Sequence, residues 1–162
     1  MASSHKNDGI INRLLLALPP KTLNRIRGVL EPVGLARGQA IAHIDQPLRY
    51  VYFVNRGLIS VVKTMHDGRL VEVGAIGIEG MTSAITLIGF DKIVLEAIVQ
   101  IPGSAFRMSR DAAIRAMQND KAFRIIVHIT LASYSAKSHR LPRAAVAGCW
   151  LRMTVRCLTP FP

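Results

Sequence analysis

The sequence predicts a mainly β domain with flanking helices, and three observations carry this prediction. Short apolar stretches recur at roughly 8–12-residue spacing through the middle of the chain, as in an antiparallel sandwich or barrel. Glycines and prolines separate these stretches, whereas apolar residues at helical spacing dominate the regions on either side. The five stretches read QAIAHI, RYVYFV, LISVVKTM, RLVEVGAI and LEAIVQI.

The overall composition is typical of one globular domain, with or without an appendage. The chain has 162 residues, of which 50% are hydrophobic and 19% charged. Its apolar runs fall short of the roughly 20 residues that a membrane-spanning helix needs. The first nine residues, MASSHKNDG, are polar and lack the apolar core of a signal peptide. We therefore expect a cytoplasmic protein without membrane contact.

Residues 1–30 are predicted to form N-terminal helices. Asp8 can cap a first helix over residues 10–18, where isoleucines and leucines recur at helical spacing. Pro19 and Pro20 end that helix, and residues 22–30 are expected to form a second, shorter one.

Residues 31–110 hold the strands, and one hairpin among them can be assigned from its turn. Asp67-Gly68 matches a two-residue type I′ turn, in which both central positions need positive φ. Such a turn sets the register of the two strands that it joins. The predicted cross-strand pairs are Met65–Leu70, Lys63–Glu72 and Val62–Val73.

Residues 111–139 are predicted to form a turn helix and a long helix. Ser109 can cap the first of them, and the pattern restarts at Asn119-Asp120. The long helix is apolar on more than one side, so it either packs as a core helix of a monomer or pairs with a second copy. Ala132 and Ala136 would allow close approach of that copy. The candidate dimer interface is the stripe Phe123, Ile126, Val127, Thr130, Leu131 and Tyr134.

Residues 140–162 read as an irregular basic tail. The net charge of the chain is +11, and residues 121–162 carry seven Lys or Arg and no acidic residue. Such a segment is either a solvated end or a surface that attracts nucleic acid without sequence preference. The latter is an alternative function for the chain.

No pattern in the sequence indicates an enzyme or a metal centre. The five histidines are scattered, and Cys149 and Cys157 match no zinc or disulfide-scaffold spacing. The sequence also contains neither a nucleophile elbow nor a Walker loop.

The order of these elements resembles the Crp/Fnr family of bacterial transcription regulators, in its cyclic-nucleotide-binding-like sensor domain. The resemblance implies an eight-stranded, jelly-roll-like β-roll, a small effector inside the roll and a homodimer built on the long helix. The segments that carry it are NRLLLALPP at 12–20, LEPVGLARGQAI at 30–41, YVYFVNRGLISVV at 50–62, DGRLVEVGAIGIEGM at 67–81 and IPGSAFRMS at 101–109.

The loop after the fourth apolar stretch departs from the family's cyclic-nucleotide motif, a Gly-Glu pair followed about ten residues later by arginine. Ile93 stands near the arginine position and Thr82 near the glutamate position, so binding of cAMP or cGMP in the family's usual way is not expected. The loop either lines a pocket for another small molecule or nucleotide or closes an empty roll around Met81 and Ile85. The candidate ligand-binding residues are Gly77, Glu79, Gly80, Met81, Thr82, Ser83 and Lys92.

The resemblance also implies a helix-turn-helix domain after the long helix, which this sequence does not contain. Its last residues, AGCWLRMTVRCLTPFP, resemble nothing in the family and suggest a frameshift that truncated the regulator. We therefore expect a sensor and dimerisation module without specific DNA binding, able to form homodimers or heterodimers with full-length relatives.

Overall fold

The computed structural model describes residues 9–65, 68–89 and 95–138, the last five of them through their backbone only. The helices are α1 (Arg13–Leu16), α2 (Pro20–Arg27), α3 (Arg110–Asn119) and α4 (Lys121–Ser138), with a 3-10 helix at Ala84–Ile88. The strands are β1 (Glu31–Leu35), β2 (Ala40–Ala42), β3 (Tyr50–Thr64), β4 (Leu70–Ile76) and β5 (Glu96–Ser109).

All the strand pairs described are antiparallel, which confirms the predicted mainly β fold. The sheet has the order β1-β5-β3-β4, and β2 also pairs with β5. The described residues form five strands, whereas the family resemblance implies eight. The difference arises because β3 and β5 are long, and β3 alone joins two of the predicted stretches, RYVYFV and LISVVKTM.

Two glycines allow β3 and β5 to continue where shorter strands were predicted. The β3–β5 register shifts at three places between Val54 and Ile59. Gly57 lies there with φ +92°, and a Cβ atom on it would come 2.5 Å from the carbonyl oxygen of Ile101. A Cβ atom on Gly103 would overlap the carbonyl oxygen of Arg56. Glycine is therefore required on both strands where the sheet bends.

Strand β3 is covered on both faces, and this divides the buried residues into two cores. Val51 and Phe53 belong to a core on the helical side, together with residues of α1 to α4 and the 3-10 helix. Tyr52 and Val54 face the second core, formed mostly by residues of the strands and their connections. Because successive side chains of a strand point to opposite faces, the part of β3 between the two cores, residues 51–54, is a continuous apolar run.

The predicted β3–β4 hairpin is present, but its loop was predicted one residue too short. The N–H of Met65 donates to the carbonyl of Arg69 at 2.8 Å, so three residues separate the paired positions. Gly68 has φ +81°, as expected of the left-handed glycine in a three-residue hairpin loop. The observed pairs next to the loop are Thr64–Leu70, Lys63–Val71 and Val62–Glu72.

A β-bulge corrects this shift farther along the same hairpin. The register changes between Val61 and Val62, and beyond it Val61 pairs with Gly74 and Ile59 with Ile76. These pairs have the register that a two-residue loop would set. The one-residue error is therefore confined to the stretch between the loop and the bulge.

The N-terminal helices are shorter than predicted. Helix α1 begins at Arg13 and is capped by Asn12, whose side chain accepts from the N–H groups of Leu14 and Leu15. Asp8, the predicted cap, lies outside the described residues. Pro20 is the first residue of α2, because proline at this position lacks only an N–H that would have no partner within the helix.

The predicted cap at Ser109 is confirmed, and Asp120 caps the helix that follows. Ser109 Oγ accepts from the N–H of Ala112 at 3.3 Å at the start of α3. Asp120 Oδ1 accepts from the N–H groups of Ala122 and Phe123 at 2.9 and 3.1 Å at the start of α4. In the part of the chain that the structure describes, no helix is both long and apolar enough to cross a membrane.

Candidate functional site

The glycine loop, residues 77–83, connects β4 to the 3-10 helix and holds six of the seven predicted ligand-binding residues. It closes a tight turn in which the N–H of Gly80 donates to the carbonyl of Gly77 at 3.0 Å. Glu79 folds back within the turn, where its Oε1 accepts from the N–H of Gly77 at 3.3 Å. Lys92, the seventh candidate, lies outside the described residues.

Met81 and Thr82 serve the fold of the loop rather than an open pocket. Met81 is fully buried in the helical-side core and is paired with Phe53 by an isolated β-bridge. Thr82 is 1% exposed, and its Oγ1 accepts from the N–H of Tyr52 at 3.0 Å. The N–H of Thr82 donates in turn to the carbonyl of Tyr52 at 2.8 Å. Neither side chain is accessible to a ligand in this arrangement.

Ser83 turns the chain from the loop into the 3-10 helix. It is a non-glycine residue with positive φ, at 62°. Its hydroxyl lies 3.3 Å from that of Thr82, and its carbonyl accepts from Thr86 Oγ1 at 2.9 Å. The hydrogen-bonding groups of this end of the loop are thus directed to the loop and the helix that follows.

Asn12 ties the glycine loop to β3, and sequence analysis missed this role. The Asn12 side chain is fully buried, and its Nδ2 donates to the carbonyls of Val54 and Gly80 at 2.8 and 2.9 Å. The Oδ1 of Asn55 accepts from the N–H groups of Ile11 and Asn12. An asparagine directly before an apolar helical run is a capping signal, but its contact with the loop depends on tertiary structure.

The glycine loop has little capacity to hold a phosphate through its described side chains. Residues 77–83 contain no Lys or Arg, and Glu79 adds a negative charge. An anion bound there would lack the charge-assisted partner that a buried phosphate needs. The geometry therefore favours the alternative in which the loop closes over Met81 and the neighbouring Ile85, which also packs against the helical-side core.

Most of the predicted dimer stripe on α4 is buried within the chain itself. Five of its six residues lie within the core of the chain itself, because α4 lays this face against α3, β4 and the 3-10 helix. Phe123, for example, meets Phe53 edge to face with 6.4 Å between ring centroids. The side chain of Tyr134 lies outside the part of the chain that the structure describes. The buried five are Phe123, Ile126, Val127, Thr130 and Leu131, all at most 8% exposed.

A different stripe of α4 is open to solvent. Ile125 is 47% and Ile129 56% exposed, and Ala132 on the next turn is also exposed. These residues are spaced four and three apart, so they share one face of the helix. We call Ile125, Ile129 and Ala132 the exposed stripe.

Metal-ligating residues do not converge in the part of the chain that the structure describes. Groups of three or more His, Cys, Asp or Glu able to hold a metal ion are absent from these residues. Cys149 and Cys157 lie outside them.

This architecture is that of cyclic-nucleotide-binding domains and of the sensor domains of Crp/Fnr-type transcription regulators. The sensor domain of the regulator DNR from Pseudomonas aeruginosa matches with a TM-score of 0.61 and 17% identity, over 74% of this chain and 81% of that one. A cyclic nucleotide-binding domain from Methylobacillus flagellatus matches with a TM-score of 0.64 and 13% identity, over 94% and 85% of the two chains.

A full regulator is matched over a smaller part of its length. The c-di-GMP-responsive global regulator CLP from Xanthomonas campestris has a TM-score of 0.65 and 16% identity, over 75% of this chain and 62% of CLP. Identities this low establish the shared fold alone. Neither a protein-family model nor a curated protein sequence matches the chain.

Proposed function

We propose that this chain is an effector-sensing and dimerisation module of a Crp/Fnr-type transcription regulator, working in the cytoplasm. The observation that supports this most strongly is the architecture, in which helices at both ends of the chain pack on one face of a strand-built roll. The structural neighbours with this arrangement are regulatory sensor domains rather than enzymes.

The effector of this module is not cAMP or cGMP bound in the family's usual way. The glycine loop lacks a basic side chain, and Met81 and Thr82 are committed to the fold. A kinase regulatory subunit from Trypanosoma cruzi with the same fold is described as cAMP-independent and bound to guanosine, so this architecture accepts ligands without a phosphate. We propose a small molecule or nucleoside-like effector for this chain as well.

Dimerisation through the exposed stripe of α4 is the part of the proposal that can be tested most directly. A second copy placed against Ile125 and Ile129 would remove two large apolar side chains from water, and Ala132 would let the helices approach closely. A full-length relative with the same stripe could replace one copy and form a heterodimer.

The experiment compares two isoleucines of similar exposure, one on α4 and one on β5. Ile129→Asp on α4 is expected to convert a dimer into a monomer, because it places a charge at the apolar contact. Ile101 on β5 is 52% exposed against 56% for Ile129, so Ile101→Asp is the matched control and should leave the dimer intact. Light scattering after size-exclusion chromatography reads the mass, and a wild-type monomer at all accessible concentrations would refute the dimerisation role.

The alternative function, sequence-independent nucleic-acid binding, depends on the basic segment at residues 121–162. Most of this segment lies outside the described residues. Lys121 and Arg124 are exposed at the start of α4, but Arg124 donates to the carbonyls of Met117 and Gln118. Arg124 therefore helps to join α3 to α4, which does not favour the alternative.

A further inference from the structure

A cleft of about 290 Å³ opens beside the connection between β2 and β3. Nine described residues line it, from the end of β2 through Tyr52 on β3, and none of them belongs to the glycine loop. Five of the nine can donate hydrogen bonds from their side chains. These are His43, Gln46, Arg49, Tyr50 and Tyr52.

One wall of the cleft is aromatic, and its rings contact each other and Arg107. The rings of Tyr50 and Tyr52 meet edge to face, with centroids 6.4 Å apart at 64°. The guanidinium of Arg107 lies 4.4 Å from the ring centroid of Tyr50. Arg107 is itself paired with Glu31, Nε to Oε2, at 2.8 Å. A wall fixed by these contacts loses little conformational entropy when a ligand binds.

The lining of the cleft carries positive charge. Arg49 contributes a full charge, and the nine described lining residues include neither Asp nor Glu. The charge of nearby Arg107 is offset by Glu31, so Arg49 sets the sign of the site. A guanidinium binds a planar carboxylate through two parallel hydrogen bonds.

The cleft is large enough for one substituted ring. Its volume of about 290 Å³ corresponds to about ten water volumes at ~30 Å³ each. We propose that this cleft binds a monocyclic aromatic carboxylate, with the ring against Tyr50 and Tyr52 and the carboxylate on Arg49. This site is separate from the glycine loop, and its occupancy does not require the regulatory role proposed above.

The test is a titration of the full chain with benzoate, followed by ¹H–¹⁵N NMR. Benzoate is expected to shift the resonances of residues 41–52 and to leave those of residues 77–79 unchanged. Two probes of similar size separate the contributions: benzamide lacks the charge, and cyclohexanecarboxylate lacks the aromatic ring. Both should bind at least about fivefold more weakly, since each loses one of the two recognised features. Benzoate without effect on residues 41–52, or binding equal to that of either probe, would overturn the proposal.

Two arginine variants locate the charge that recognises the carboxylate. Arg49→Gln is expected to weaken benzoate binding about tenfold, because a charge-assisted pair is lost. Arg37 is an exposed arginine between β1 and β2 that does not line the cleft, so Arg37→Gln should bind benzoate as the wild type does. Both positions are on the surface, which keeps the fold intact. Equal affinities for the two variants would remove Arg49 from the site.

Discussion

At the scale of single residues, Asn12 contributes most to the connection between the N-terminal segment, β3 and the glycine loop. One buried side chain donates to two carbonyls, those of Val54 and Gly80, and caps α1 with its oxygen. A buried polar side chain stabilises the fold when all its hydrogen-bonding groups have partners. If that side chain is removed, its former partners stay buried without a hydrogen bond.

Replacement of Asn12 by alanine is therefore expected to lower the free energy of unfolding by roughly 3 kcal/mol, because several buried groups would lose their hydrogen-bond partners. Urea unfolding followed by circular dichroism measures this loss. Asn119 is the control, since it is exposed and donates only to the carbonyl of Arg115. Asn119→Ala should change stability by less than about 0.5 kcal/mol. Similar losses for the two variants would contradict the role given to Asn12.

Asp120 joins α2 to α4 and is sensitive to pH. Its side chain is 10% exposed, and its Oδ2 accepts from Thr22 Oγ1 at 2.8 Å and from Arg25 at 3.1 Å. Burial by itself would raise the pKa of this carboxyl. The hydrogen bonds from the N–H of Phe123, the hydroxyl of Thr22 and the N–H of Ala122, together with the charge of Arg25, outweigh burial and bring the pKa below its ordinary value of 3.8.

A lowered pKa in the folded state means that the ionised Asp120 stabilises the fold above the unfolded-state pKa. That stabilisation is lost as the pH falls through the lower, folded-state pKa. Asp120→Ala should thus cost about 1–2 kcal/mol at pH 7, as for other helix caps, and the gap to the wild type should close below pH 3.8. Urea unfolding at pH 7 and at acidic pH measures both. A gap that stays constant with pH would show that the carboxylate charge is not involved.

At the scale of elements, the sheet depends on how closely β3 and β5 approach each other. Gly103 lies where its backbone meets that of Arg56 and Gly57, with no room for a side chain. Gly74 on β4 is the matched glycine, because a Cβ atom there would have nothing within 4 Å.

Gly103→Ala is expected to destabilise the protein by roughly 3 kcal/mol or more, because the obstacle is backbone that cannot rotate away. Gly74→Ala should be within about 1 kcal/mol of the wild type, since alanine fits and restricts the unfolded chain. Thermal and urea unfolding of the two variants measure both changes in stability. Equal tolerance of both substitutions would mean that β3 and β5 do not cross as closely as described.

The hairpin shows why elements were easier to predict than their registers. Asp67-Gly68 marked the turn correctly, but a two-residue and a three-residue loop share this sequence signal. The choice between them depends on where the strands meet the rest of the sheet. All three predicted pairs lie between the loop and the bulge beside Val62, so all three are one residue out of register.

At the scale of the whole molecule, the two cores decide which surfaces remain for ligands and partners. The glycine loop is anchored to the helical side through Met81, and residues 77–83 carry no positive charge. In a thermal-shift experiment, neither cAMP nor cGMP should raise the melting temperature beyond the effect of AMP, the control. A ligand at a hundred times its Kd would add about 2.7 kcal/mol, which such an experiment detects easily. Stabilisation by cAMP alone would contradict this reading of the loop.

The sequence by itself determined the kind of fold, the order of its elements and the cap at Ser109. These features follow from local spacing and turn chemistry, which a single segment carries within itself. Only the tertiary structure decided which stripe of α4 is buried, because both stripes are apolar and the choice depends on what β4, α3 and the 3-10 helix present to them. The same holds for Asn12, whose contact with Gly80 joins residues far apart in the chain.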